Sequence, residues 1–294
     1  MKTRIAMLSL ALLAIMGGVE SIVSAQPENT RKVYKVSTAE EFLAAIGSDR
    51  IIEIVPVEPI IITDAIEKLY EQGELDKIDM YDYKVLPEGI ACYNNYDGMA
   101  LAIIGVENLT IRAKNDDKGA AIYSRPRYAD VLKFMYCESI SLEHISLGHT
   151  DEGYCEDGVL GLIECTDVAV DHCDLFGCGT EGIIAKNCNV LWVMGSVIRD
   201  CSYYIMHLNE CENVHFDYCD FLDNRKFEQI NIDDCDDVTF SNCHIYDNEG
   251  ILFNINSPVT MTDCTIEHNG DLGNLNEITM QNVTMLSLSH SYIE

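Results

Sequence analysis

Cys165-Thr-Asp-Val168-Ala-Val170-Asp-His-Cys173-Asp-Leu175 returns as Cys211-Glu-Asn-Val214-His-Phe216-Asp-Tyr-Cys219-Asp-Phe221. It returns again as Cys235-Asp-Asp-Val238-Thr-Phe240-Ser-Asn-Cys243-His-Ile245. With the first cysteine as anchor, the equivalent positions are Cys137, Cys165, Asn187, Cys211, Cys235, Asn256 and Leu275, at intervals of 28, 22, 24, 24, 21 and 19 residues. Periods of this length mark stacked supersecondary units that bury their apolar faces only against one another.

Each unit holds three short runs of alternating polarity. The first places an apolar residue three before the anchor: Phe134, Leu162, Ile184, Leu208, Ile232 and Phe253. The second places pairs at plus three and plus five, such as Val214 with Phe216 and Val238 with Phe240. The third places them at plus eight and plus ten, such as Cys219 with Phe221 and Cys243 with Ile245. A period of two means strands with one buried face. Three such runs per unit, without a helix between them, predict an all-β, three-faced parallel β-helix. A leucine-rich repeat would show denser leucine and a longer convex segment. After the third run, Asp200, Asn224, Asn248 and Asn269 predict a ladder of stacked side chains along one turn.

Outward from the repeat, the chain divides into three parts. Lys2 and Arg4, the apolar run Ile5 to Met16, and Val23-Ser24-Ala25 read as a signal peptide over 1–25, cleaved after Ala25. Residues 26–100 read as a small α/β cap. Thr38-Ala-Glu-Glu41 is a capping box before Phe42, Leu43 and Ile46, and Asp64 to Gln72 predicts a second helix stopped by Gly73. Residues 101–294 form the repeats. No stretch after the leader is apolar enough to span a membrane, and the expected location is secreted, periplasmic or cell-surface.

The 49 acidic and 19 basic residues leave a net charge of -30. Such a surface repels nucleic acid phosphates and anionic membranes, and acidic polysaccharides unless a cation bridges them. The 13 cysteines of a secreted chain suggest disulfides. Strand parity instead turns Cys137, Cys165, Cys173, Cys211, Cys219, Cys235, Cys243 and Cys264 inward as small hydrophobes in stacked rows. Their spread along columns argues against zinc. Cys155, Cys178 and Cys201 sit in the turn after the third strand, where a bridge between two of them stays open.

From about Leu101 onward, with Asp171-His-Cys-Asp-Leu-Phe-Gly-Cys-Gly-Thr180 and Tyr128-Ala-Asp-Val-Leu-Lys-Phe134 as typical segments, the chain resembles right-handed parallel β-helix proteins of the pectin-lyase-like superfamily. The resemblance implies a right-handed solenoid and an association with carbohydrate, by binding or cleavage. It does not carry over a catalytic set. Polygalacturonase-like hydrolases order their motifs as Asn-Thr-Asp, paired Asp, Gly-His-Gly and Arg-Ile-Lys. Here Gly148-His149-Thr150 precedes Asp233-Asp234 and Asp236-Asp237, and Arg-Ile-Lys is absent. Asp171-His172 resembles a pectate-lyase strand motif without the basic residues that follow it.

Loop insertions on one edge of a solenoid commonly build its binding face. The longest turn, Gly148 to Gly158, therefore marks the expected edge. His149 is expected there as an exposed proton-transfer group, with Asp151 and Glu152 as candidate ligands for Ca²⁺. Tyr203 and Tyr204 offer a stacking platform for a sugar, and Lys226 a partner for a ligand carboxylate. On the adjoining strand face, His207 and Asp233 are candidate catalytic groups, and Asn209 and Asn231 candidate binding groups. Two function classes follow. One is a carbohydrate-binding or carbohydrate-cleaving protein, the other a non-enzymatic surface scaffold or adhesin-like module.

Overall fold

The computed structural model describes residues 31–55, 58–79, 86–114, 120–150, 158–177, 181–225 and 227–286. The strands lie in three long sheets of ten, nine and ten strands, and nearly all pairings are parallel. A typical coil contributes Glu212–Asp217 to the first sheet, Asp220–Leu222 to the second and Glu228–Asp233 to the third. Each pairs with the same segment of the next coil, as Val214 with Val238 and Phe216 with Phe240. The architecture is the three-faced solenoid that the alternation predicts.

The parity holds through the core. Val214, Phe216, Phe221, Phe240 and Ile245 are fully buried. Phe216 and Phe240 stack with centroids 4.8 Å apart, the rung spacing of a parallel sheet. One contiguous apolar cluster runs from Val36 to Ile266.

The register differs from the expectation in two coils. Asn187 and Asn256 are exposed, and the buried positions equivalent to Cys165 are taken by Cys188 and Ser257. Ile184 accordingly faces outward, in register with His207, while Ala185 faces in. The corner residue explains the slip at Asn187. Tyr136, Glu164, Asn187, Glu210 and Asp234 all adopt positive φ, between 50° and 56°. Such a residue costs about 1–2 kcal/mol in backbone strain. Its N–H is satisfied by the next coil, as in Glu164 N to Lys186 O at 2.8 Å and Asn187 N to Asn209 O at 3.0 Å.

The cysteine after each corner is more than a filler. The Cys165 thiol lies 3.4 Å from the carbonyls of Phe134 and Ile163. Cys173 N donates to Ser196 Oγ at 3.0 Å, and Cys235 N donates to Ser257 Oγ at 2.9 Å. Serine replaces cysteine in these columns because the slot wants a small side chain that both donates and accepts. The eleven described cysteines are free and buried, Cys201 among them. Cys155 and Cys178 lie outside the described residues.

The ladder after the third strand is present with one substitution. Asn224 Nδ2 donates to Asn248 Oδ1 at 2.8 Å, and Asn248 Nδ2 to Asn269 Oδ1 at 2.9 Å. In the preceding coil the ladder position is Cys201, whose N–H donates to Asn224 Oδ1 at 2.9 Å, and not Asp200. Asp200 is the positive-φ corner beside it.

Both expected helices form. Helix α1, Ala39–Ala45, is capped by Thr38, whose side chain accepts from Glu41 N. Helix α2, Thr63–Glu71, ends at Gly73, whose φ of 72° suits glycine. The first sheet already begins with Lys32–Val36 and Arg50–Ile54, within the segment read as the cap.

Candidate functional site

The outer face of the third sheet divides into two parts. At its N-terminal end, Gly89–Asn95 and Gly98–Ile104 pair antiparallel. Tyr93, Ala100, Ala102, Ile104 and Met135 form a separate apolar cluster there. Beyond that cluster the outward rows become polar. One row runs Ile184, His207, Asn231 and Asn254, in register on four coils. The next runs Lys186, Asn209 and Asp233. These positions are partly exposed, apart from Lys186, which is exposed.

The junction between the two parts holds a buried ion pair. Lys133 Nζ lies 2.8 Å from Asp130 Oδ2, and 4.8 Å above the Tyr93 ring. Gly158 N donates to the other Asp130 oxygen at 2.9 Å. Gly161, the neighbour of Lys133 in the sheet, leaves room for this carboxylate, since a Cβ there would sit 2.4 Å from Asp130 Oδ2.

Aromatic groups border the open rows. Tyr203 and Phe227 stack at 4.7 Å with planes 4° apart, and Phe227 is 53% exposed. Tyr204 lies 5.7 Å from His207. Burial lowers the His207 pKa, against the field of Asp233, which raises it. Burial raises that of Tyr204. A neutral imidazole and a neutral phenol are therefore the forms present near pH 7.

The expected edge is only partly assembled by the fold. Asp151, Glu152 and Lys226 lie outside the described residues. His149 differs from the expectation. It ends the strand Ile145–His149 with the same parity as Ile145 and Leu147, and is 3% exposed. Its Nε2–H donates to the Ala129 carbonyl at 2.8 Å, and burial lowers its pKa. Reading it as part of the loop missed that the strand continues through it.

Tyr203, Tyr204, His207, Asn209, Asn231 and Asp233 do come together, on or beside one sheet face. Sequence reasoning missed Asn254 and Phe227. Asn254 lies 23 residues after Asn231, its bonding partner, so the period would have found it. Phe227 sits in a turn, where the alternation gives no signal.

The family described as a right handed beta helix region matches residues 154–285. The chain folds as a right-handed parallel β-helix. No curated protein matches the sequence. Among solved structures, this β-helix is similar to the pectate lyase Bsp165PelA from Bacillus sp. N165, crystallised with trigalacturonate. The TM-score is 0.54 and the identity 12%, over 92% of this chain and 87% of that one. It also matches an alginate lyase from Paenibacillus sp. str. FPU-7, with a TM-score of 0.41 and 8% identity, over 88% of this chain and 98% of that one. Pectate lyase Pel9A matches with a TM-score of 0.45 and 10% identity, over 90% and 79% respectively. At such identities the likeness is one of fold, which many functions share. Among the described residues, the β-helix has no helix long and apolar enough to cross a membrane.

Among those residues, the cluster able to hold a metal ion is His144, Asp171 and His172. It lies at a corner after the first sheet. Two imidazoles and one carboxylate are a poor donor set for Ca²⁺, which takes oxygen ligands.

Proposed function

We propose that this β-helix binds polysaccharide outside the cytoplasm, on the open outer face of its third sheet. The observation that carries the reading is the pairing of in-register polar rows with a stacked aromatic platform. His207, Asn231 and Asn254 form one row, Asn209 and Asp233 the next, and Tyr203 with Phe227 stands at their border. Aromatic faces stack on the apolar faces of sugar rings. Amide and carboxylate groups repeated along the solenoid axis meet hydroxyls repeated along a sugar chain.

The net charge of -30 favours a neutral glycan, or an acidic one bridged by a cation. Asp151 and Glu152 would serve such a bridge, and Lys226 a sugar carboxylate. His207, held neutral by burial, is the group on this face fitted to accept a proton. The expected leader at 1–25 supports the location.

The test is affinity electrophoresis of the purified protein through neutral and acidic polysaccharides, each with and without Ca²⁺. Retardation by at least one glycan, lost in the double variant Tyr203→Ala/Phe227→Ala, is the expected result. Equal mobility in every gel would leave the surface-scaffold reading in its place.

A further inference from the structure

We propose a second site, for a nitrogen-preferring divalent metal such as Zn²⁺, at His144, Asp171 and His172. One donor atom from each of the three lies within 4.8 Å of the others. The solenoid brings them together. The corner after the first sheet is a column of left-handed residues: His144, His172, Gly195, Tyr218, Asn242 and Asp263, with φ between 50° and 55°. Each N–H in the column is bonded to the next coil, as His144 N to Asp171 O at 2.9 Å and His172 N to Met194 O at 2.9 Å. Left-handed geometry favours Gly, Asn, Asp and His, and such residues fill every corner of this column but Tyr218.

Their rings lie face to face, 5.1 Å apart and 23° from parallel. The Asp171 carboxylate holds His172 Nδ1 at 2.8 Å. Gly195, on the following corner, leaves space for the same ring, since a Cβ there would meet His172 Nε2 at 2.9 Å. The rigid backbone thus presents two imidazoles and one carboxylate at the surface.

Imidazole suits Zn²⁺, Cu²⁺ and Ni²⁺, and a carboxylate completes a three-ligand set that leaves a fourth position for water. Zinc bonds of about 2.0–2.1 Å place tetrahedral ligands roughly 3.3 Å apart. Closing from 4.8 Å calls for side-chain rotation at His144 and Asp171, which are half-buried, and at His172, which is exposed. The site stands apart from the proposed glycan face, because it lies at a corner of the first sheet.

Calorimetric titration of the untagged protein with Zn²⁺ tests it, with Co²⁺ absorption as a second readout of coordination. The expected result is one site, weakened roughly tenfold or more in each of His144→Ala, Asp171→Asn and His172→Ala, and unchanged in His244→Ala. A d–d band in the tetrahedral or five-coordinate range should vanish in the same three variants. Their melting in EDTA should match the parent, which separates loss of the site from loss of the fold. No binding, binding undiminished by any of the three substitutions, or equal loss in His244→Ala overturns the proposal.

Discussion

The rings of Phe216 and Phe240 lie 9° from parallel, one coil apart, and both are fully buried. Each also meets Phe221 edge-on, at 5.8 Å and 6.0 Å. Phe240→Ala removes one ring from this set and leaves a cavity that rigid coils cannot close. The expected cost is about 3–5 kcal/mol, read from the urea midpoint at constant slope. A cost below about 1 kcal/mol, the range of surface changes, contradicts the packing.

Lys133 and Asp130 form the buried pair at the head of the third sheet. Lys133→Met leaves a buried carboxylate without its cation, at an expected cost of about 3–5 kcal/mol. Adding Asp130→Asn keeps an acceptor for Gly158 N and removes the charge. The double variant should therefore be more stable than Lys133→Met alone. Equal stability of the two in denaturant melts contradicts the pairing.

The three faces, the inward rows and the capping box were legible in the sequence, because alternation and period are local signals. Val214 with Phe216 and Val238 with Phe240 lie where the period places them. The one-residue slip at Asn187 was not legible. A left-handed corner followed by a buried cysteine keeps strand parity on either side, so only pairing reveals which residue turns. His149 was misplaced for a related reason, since glycine before it suggested a turn where the strand continues. The polar face was half legible. Parity named His207, Asn209, Asn231 and Asp233, but the covering of the first coils by Tyr93 and its neighbours depends on an antiparallel pair that has no repeat.

Burial pushes the Cys173 thiol up to about 12 and drives Cys201 higher still. Thiols this far from ionised are poor nucleophiles. In the native state Cys173 and Cys201 should react slowly with a disulfide reagent. In denaturant without reductant, the eleven described free cysteines should all titrate. A count below eleven means that at least one described cysteine is bridged.

His149 gives a pH dependence of stability. Its folded pKa is lowered by burial. As pH falls below about 6.5, the unfolded chain takes up a proton that the folded chain refuses. Stability therefore falls with pH, by up to about 1.4 kcal/mol per unit, until the folded imidazole also protonates. His149→Gln removes this titration. Between pH 6.5 and 5, its stability should fall less steeply than that of the parent, by up to one proton. Parallel slopes contradict the buried neutral assignment.

Asn231 and Asp233 face outward on the third sheet, and Thr239 and Ser241 face outward on the first sheet of the next coil. The most direct measurement compares the affinity of Asn231→Ala/Asp233→Ala with that of Thr239→Ala/Ser241→Ala, against a polysaccharide that retards the parent. Both pairs lie at the surface and should leave the melting temperature nearly unchanged. The predicted result is roughly tenfold or greater loss in the first pair, about 1.4 kcal/mol, and parent affinity in the second. Equal affinity in both variants would contradict the claim that the third sheet is the binding face.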